Sequence, residues 1–353
     1  MGTIEEVMDT LRQKLLEGMV IPACPLALDA DGSWSERHQG ALMNYYRDAG
    51  VGGVAVGVHT TQFEIREPRF GLFEPVLEFC SNRVGSATEQ GQIVKIAGIC
   101  GETGQAMREV EIAKQFGYDA GLLSLAALKS WPEERIVTHC REVAEAIPVF
   151  GFYLQPAVGG RDLSYRFWRE FADIPNVVAV KIAAFNRYRT IDVVRAIIDA
   201  GREDIALYTG NDDHIIGDLL TPFRFGEHGP TRWFSGGLLG QWAVWTSRAV
   251  GMLKEILDAR LQGKVPTEWL TRSAQLTDAN AAVFDAANGF AGCIPGINEV
   301  LRRQGLLPSN RCLNPEEVLS PGQEAELDRV IAAYPWLVDD AFVLENRDRW
   351  LSA

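Results

Sequence analysis

The chain has 353 residues, of which 47% are hydrophobic and 23% are charged, ordinary values for a globular protein with a large core. A formal net charge of −13 and the lack of any basic run argue against nucleic acid or an anionic membrane as the main partner. Six cysteines without a C-x-x-C pair give no support to a zinc finger, a thioredoxin-type site or a disulfide framework. With no apolar stretch near the roughly 20 residues of a membrane span, we expect a cytoplasmic protein.

The N-terminal segment has helical spacing rather than a signal-peptide pattern, and it predicts an amphipathic helix that Gly18 stops. Short apolar runs then alternate with helical patterns along the chain. The runs predict eight strands, at residues 20–25, 54–57, 93–97, 120–124, 148–153, 177–181, 206–209 and 233–235. The segments between them predict helices at residues 35–49, 68–80, 103–116, 133–146, 164–172 and 190–200.

Eight strands that alternate with helices favour an α/β fold in which a parallel sheet closes into a (β/α)8 TIM barrel. The strand signal stops after residue 240, and helices are predicted at residues 241–261, 267–288, 297–304 and 323–333, with a break at 289–295. We therefore expect a barrel with an N-terminal helix at residues 1–240. The last barrel helix and a C-terminal helical appendage would follow at residues 241–353.

Lys181 closes the sixth predicted strand, and in such barrels the active site forms at the C-terminal ends of the strands. The apolar residues before it disfavour the ammonium form, and a neutral amine can attack a ketone. Only seven of the 34 basic residues are Lys. The one other lysine placed on a predicted strand is Lys95, inside the third strand, so it is the one rival candidate for the reactive amine. The alternative for Lys181 is a side chain that reaches from the strand end into water.

Two further strand ends carry polar side chains. Tyr153 closes the fifth predicted strand, where its phenol would relay protons or bond to the backbone. Thr60 and Thr61 follow the second strand. Their hydroxyl and N–H groups would hold a carboxylate or cap the loop.

The order of these segments resembles the dihydrodipicolinate synthase / N-acetylneuraminate lyase family of class I aldolases and lyases, from about Ile21 to Pro308. The family's proline-containing first strand, threonine loop, tyrosine strand, Schiff-base strand and Gly-x-Asp segment correspond to residues 21–26, 59–63, 150–156, 176–181 and 209–213. Residues 294–308 are similar to its C-terminal helices. Several weak motifs in one order, at fitting intervals, carry this resemblance.

The resemblance implies that Lys181 condenses with the ketone of pyruvate or another 2-oxo acid. It assigns proton shuttling to Tyr153 and the substrate carboxylate to Thr60 and Thr61. It also implies that no metal or organic cofactor is needed and that the protein is a homo-oligomer, a dimer or a tetramer.

The second substrate would be an aldehyde or a sugar acid. Gly210 and Asp212, with Asp213, lie where lyases of the family bind a polyhydroxylated chain, and carboxylates suit hydroxyl donors. Capping of a helix is the alternative for the two aspartates. Arg161 would reach an acidic substrate or be solvated at the surface.

The sequence departs from the synthase pattern at several points. Gln62 and Phe63 replace the Gly-Glu of the threonine loop, and Val158 stands at the synthase's arginine. Residues 126–128 replace its paired tyrosines, and Ile182 replaces the glutamate after the lysine. We therefore expect a divergent member that makes or breaks a carbon–carbon bond, or that dehydrates a sugar acid.

Three other functions stay open. A metal-dependent barrel enzyme would use Asp212 and His214, with His59 at another strand end. A phosphate-binding barrel would use the Ser235-Gly236-Gly237 segment. The third alternative is a non-catalytic ligand-binding protein, since a barrel alone does not imply catalysis.

Overall fold

The computed structural model describes residues 4–85 and 93–353. The described chain divides into two compact units: the N-terminal helix with Val94–Leu238, and the described part of Val20–Ile93 with Leu239–Ala353. No helix within the described ranges is long and apolar enough to cross a membrane. The boundary predicted from sequence at residue 240 stays a prediction.

The first unit is built on parallel strands that run side by side in the order β10-β7-β6-β5-β4-β3. These strands are β3 (Val94–Ile99), β4 (Ala120–Leu123), β5 (Val149–Leu154), β6 (Val177–Ala183), β7 (Ala206–Thr209) and β10 (Phe234–Leu239). Its helices are α1 (Ile4–Glu17), α4 (Thr103–Gln115), α5 (Glu133–Ala146), α6 (Tyr165–Ala172), α7 (Arg187–Asp199) and α8 (Ile215–Leu220). A small antiparallel hairpin, β8 (Phe223–Arg224) with β9 (Thr231–Arg232), precedes β10.

The register of β5, β6 and β7 determines which side chains share a face of this sheet. Phe152 pairs with Lys181, and Lys181 pairs with Tyr208. Because successive residues of a strand point to opposite faces, Tyr153 and Ile182 lie on the other face. The Tyr208 hydroxyl donates to the carbonyl of Leu15 at 2.9 Å, which ties α1 to the face that carries Lys181.

The second unit contains the strands β1 (Val20–Pro22) and β2 (Gly53–Val56), and β1 continues into a parallel bridge between Ala23 and Ala55. Its helices are α2 (Glu36–Ala49), α3 (Phe73–Val84), α9 (Thr246–Gln262), α10 (Glu268–Val283), α11 (Cys293–Arg303), α12 (Gln323–Ala333) and α13 (Asp340–Ser352). The C-terminal helix α13 packs on α2, with the rings of Tyr45 and Trp350 5.5 Å apart.

All eight predicted strands are present, and the helices predicted at residues 133–146 and 323–333 are confirmed to the residue. The N-terminal helix ends at Glu17, and Gly18 follows with a φ of 91°. A Cβ at Gly18 would lie 2.1 Å from the carbonyl oxygen of Ser235, so this stop needs glycine for space as well as for conformation.

Several predicted bounds are wrong. The strand of Lys181 continues to Ala183, and the helix expected at 68–80 is α3, Phe73–Val84. The break expected at 289–295 is shorter than predicted, because α11 begins at Cys293. Pro295 fits in the first turn of this helix, since a backbone N–H there has no intrahelical partner. The prediction also missed α8, α13 and the hairpin, whose apolar patterns are too short or too sparse.

Candidate active site

Lys181 is the fifth residue of β6, a strand whose seven residues are all buried. Its side chain is 9% exposed, and its Nζ lies 4.4 Å from the centre of the Phe152 ring on β5. An ammonium or iminium group at this distance from an aromatic face gains a cation–π attraction. The amine is therefore held in the interior on an aromatic partner and does not extend into water.

Gly210 forms one wall of the lysine's environment. Its N–H donates to the carbonyl of Ile182 at 2.7 Å, which brings the chain after β7 against β6. A Cβ at this position would lie 2.7 Å from the Cε of Lys181 and 2.8 Å from the Cβ of Ala183. Two residues later Asp212 is half-buried in the turn that leads to α8. The structure thus brings Gly210 into contact with Lys181.

Tyr153 is buried on the face of the sheet opposite to Lys181. Its ring lies 5.4 Å from that of Trp168 on α6, and its hydroxyl accepts a hydrogen bond from the N–H of Leu163 at 3.3 Å. Burial raises the pKa of the Tyr153 phenol. These contacts belong to the packing between β5 and α6.

Thr60 and Thr61 lie in a buried turn after β2, in the second unit. The Thr60 hydroxyl donates to the carbonyl of Ala23 at 2.8 Å, and the Thr61 hydroxyl donates to that of Cys24 at 2.7 Å. The Thr61 oxygen also accepts from the N–H of Gly57 at 3.0 Å. Because a hydroxyl has one proton, each threonine side chain uses its proton in a hydrogen bond to a carbonyl just after β1.

The other residues singled out from the sequence have structural partners. Lys95 is the second residue of β3 and so lies at the opposite end of its strand from the end that Lys181 approaches in β6. Burial lowers the pKa of Lys95, and the negative charge of nearby Asp119 opposes this shift. Arg161 donates to the carbonyls of Leu128 and Trp131 at 3.0 and 2.8 Å, so its guanidinium supports the loop after β4.

The histidines considered as metal ligands have aromatic or backbone neighbours. His214 lies over Gly217, where a Cβ would come within 2.2 Å of its Nε2, and the His59 ring is 5.9 Å from that of Phe63. Among the described residues, no three His, Cys, Asp or Glu side chains are grouped closely enough to hold a metal ion.

Sequence reasoning missed a buried polar cluster beside the lysine strand. Asp218 on α8 is fully buried and forms an ion pair with Arg187 at the start of α7. Its Oδ2 accepts from the Thr209 hydroxyl at 2.7 Å and from the Asn211 side chain at 2.8 Å. The sequence feature that could have revealed this cluster is the single carboxylate inside the apolar run Ile215–Leu220. A charge in such a run is buried and therefore needs a partner.

The model of the dihydrodipicolinate synthetase family matches residues 18–231, more than half of the chain. A 4-hydroxy-tetrahydrodipicolinate synthase of Cyanothece sp. is 30% identical over 138 residues, 38% of this chain and 46% of the relative. The chain thus spans about half the length of the first relatives that it matches. The synthase of Alcanivorax borkumensis is 26% identical over 83% of this chain and 99% of its own.

Solved structures show the fold. The protein YagE of Escherichia coli K12, a member of the dihydrodipicolinic acid synthase family solved in complex with pyruvate, superposes with a TM-score of 0.72 at 18% identity. The match covers 90% of this chain and 99% of YagE. The predicted (β/α)8 barrel with a C-terminal helical appendage is thereby confirmed. This chain belongs to the dihydrodipicolinate synthetase family, a family of class I aldolases and lyases.

Proposed function

We propose that this chain is a Schiff-base-forming lyase or aldolase that acts on pyruvate or a related 2-oxo acid, with Lys181 as the nucleophile. The observation that carries the proposal is the placement of the Lys181 amine, buried on β6 between the Phe152 ring and the Gly210 backbone. YagE, a family member solved in complex with pyruvate, supports the class of substrate.

The proposed first step joins the amine to the ketone carbon. The lone pair of Nζ forms the C–N bond as the C=O π bond opens. The oxygen takes one proton from the amine and one from solvent, and it leaves as water when the C=N bond forms. The resulting protonated imine accepts electron density from the adjacent carbon, so a bond at that carbon can form or break. Phe152 contributes by lying against the positive charge that the imine retains.

The turn that contains Thr60 and Thr61 is the proposed carboxylate site. Both hydroxyl protons go to carbonyls just after the first strand, and the N–H groups of Thr61 and Gln62 donate to the carbonyls of Val58 and His59 at 3.0 and 2.9 Å. A carboxylate that binds here would therefore replace some of these bonds with stronger, charge-assisted ones. The threonine side chains then act by holding this turn in place. Asp212 is the group that we assign to the hydroxyls of the second substrate, because it lies two residues after Gly210 in the chain that follows β7.

The proton-relay role of Tyr153 stays a prediction, and the contacts of its ring do not support it. Strand alternation directs its phenol toward Trp168 and Leu163 and away from Lys181.

The test is reductive trapping. The protein is incubated with isotopically labelled pyruvate and borohydride, and the modified residue is mapped by mass spectrometry. We expect the label on Lys181, its complete loss in Lys181→Ala, and full labelling in the matched control Lys95→Ala. An unlabelled Lys181, or a label that moves to Lys95, contradicts the proposal. A Tyr153→Phe protein measured in parallel shows whether the phenol affects the rate of trapping.

A further inference from the structure

The Asp218 carboxylate accepts hydrogen bonds from both residues that flank Gly210. Thr209 donates through its hydroxyl at 2.7 Å and Asn211 through its amide nitrogen at 2.8 Å, to the same oxygen, Oδ2. The other oxygen, Oδ1, pairs with the Arg187 guanidinium. Asp218, Thr209 and Asn211 are fully buried. A single carboxylate therefore holds the chain on both sides of the glycine that touches the reactive lysine.

The same cluster also fixes the segment after β6. The Asn211 side-chain oxygen accepts from the N–H of Phe185 at 2.9 Å, and Phe185 has a φ of 49°, a conformation that costs energy in a residue with a side chain. Arg187, which pairs with Asp218, begins α7 two residues further on. The loops that follow β6 and β7 are thus tied to one buried ion pair.

The stem of Lys181 lies against the backbone that this cluster restrains. A Cβ at Gly210 would come within 2.7 Å of the lysine Cε and 3.1 Å of its Cγ, so the backbone itself is the contact surface. A shift of this segment away from β6 would leave space in which the lysine could adopt other rotamers. A shift toward β6 would displace the amine.

We infer that Asp218 is a positioning residue: through Thr209 and Asn211 it presses the Gly210 backbone against Lys181 and so fixes where the amine meets the carbonyl carbon. The inference rests on the proposed function. Attack on a ketone needs the nitrogen within near-attack distance in one orientation, and small misplacement of such a group costs orders of magnitude in rate. In this inference the cluster acts through the Gly210 backbone.

The test compares Asp218→Asn with the wild-type protein in pyruvate trapping by borohydride, with the trapping rate measured over a range of pyruvate concentrations. The asparagine keeps the shape of the side chain but loses the ion pair with Arg187 and one acceptor. We expect the maximum trapping rate at Lys181 to fall about 10- to 100-fold, with much less change in the half-saturating pyruvate concentration. Thr209→Val, a milder change, should give a smaller fall of the same kind.

Asp339→Asn is the matched control. Asp339 is also buried, accepts from the Tyr45 hydroxyl at 2.8 Å and the Gln304 amide at 2.9 Å, and lies in the other unit. It should lower the thermal midpoint comparably without slowing trapping. If Asp218→Asn traps at the wild-type rate, or if the Asp339 variant is slowed equally, the positioning role is refuted while the proposed function stands. A wild-type protein that is not labelled refutes both.

Discussion

Among single residues, His139 on α5 shows how burial sets the protonation state of a side chain. It is 1% exposed, and its Nδ1 lies 2.8 Å from the Thr103 hydroxyl. Burial lowers its pKa from 6.5 to about 4. The folded protein therefore holds this imidazole neutral at a pH where an exposed histidine is protonated.

Stability should consequently fall as the pH drops from 6.5 toward 4. In that range the unfolded chain binds a proton at His139 that the folded chain does not, so acid favours unfolding. The loss is on the order of 3 kcal/mol once the pH falls below 4, and most of it is reached by pH 4.5. Urea unfolding gives the free energy of unfolding at pH 7 and at pH 4.5, and His139→Gln should reduce the difference between these two values. The exposed His228→Gln should not; an equal flattening in that protein would contradict the assignment.

The residue scale also shows what a local pattern can and cannot predict. The apolar run before Lys181 predicted an amine near the end of a buried strand, and the other motifs of the family favoured it over a side chain that reaches into water. The direction of Tyr153 was not predictable. The register between β5 and β6 shifts between Val149 and Phe150, and a one-residue shift exchanges the faces to which side chains point.

At the scale of elements, the threonine turn is held by the C-terminal segment of its own unit. Gln62, which follows Thr61, is 1% exposed, and its side-chain oxygen accepts from the N–H of Leu313 at 2.5 Å. Its φ of 69° is one that glycine adopts freely and other residues do not. The departure from the family's glycine at this position thus gives the turn a tether at the cost of backbone strain.

Replacing Gln62 by glycine and by alanine separates the tether from the strain. Both variants lose the bond to Leu313 and leave its N–H buried, which should cost about 1–3 kcal/mol. Only glycine relieves the backbone, so Gln62→Gly should be more stable than Gln62→Ala by about 1 kcal/mol. Denaturant unfolding measures both. Two variants of equal stability would mean that this conformation carries no strain.

The helix α13 is the second element whose role the sequence did not reveal. Trp350 on this helix is 2% exposed, and its indole N–H donates to the Asp48 carboxylate of α2 at 2.7 Å. Its ring also lies 5.5 Å from that of Phe342 on the same helix. A large aromatic side chain with a satisfied polar atom is an effective anchor between two helices.

Trp350→Ala should therefore destabilise the protein by about 3–5 kcal/mol, the usual cost of removing a buried tryptophan. Thermal or urea unfolding measures the loss. The matched control is Leu344→Ala on the same helix, because Leu344 is 71% exposed and should change stability little. A loss in Trp350→Ala no larger than the small loss in Leu344→Ala would show that Trp350 does not anchor α13.

At the scale of the whole molecule, the alternation of eight strands with helices could be predicted because each element has its own apolar period. A fully buried parallel strand shows a continuous apolar run, and a helix on its outside shows a repeat of 3.6 residues. The (β/α)8 barrel and the family follow from that rhythm together with a few motifs in order.

The sequence by itself determined the fold class, the family and the placement of Lys181 on a buried strand, since these depend on residues that are close together in the chain. Only the tertiary structure decided which side chains meet. The turn of Thr60 and Thr61 bonds to the residues just after β1, the Tyr153 ring packs on Trp168 of α6, and Asp218 accepts from the residues on both sides of Gly210. Such contacts depend on strand register and on hydrogen bonds between distant segments, and no local pattern encodes them.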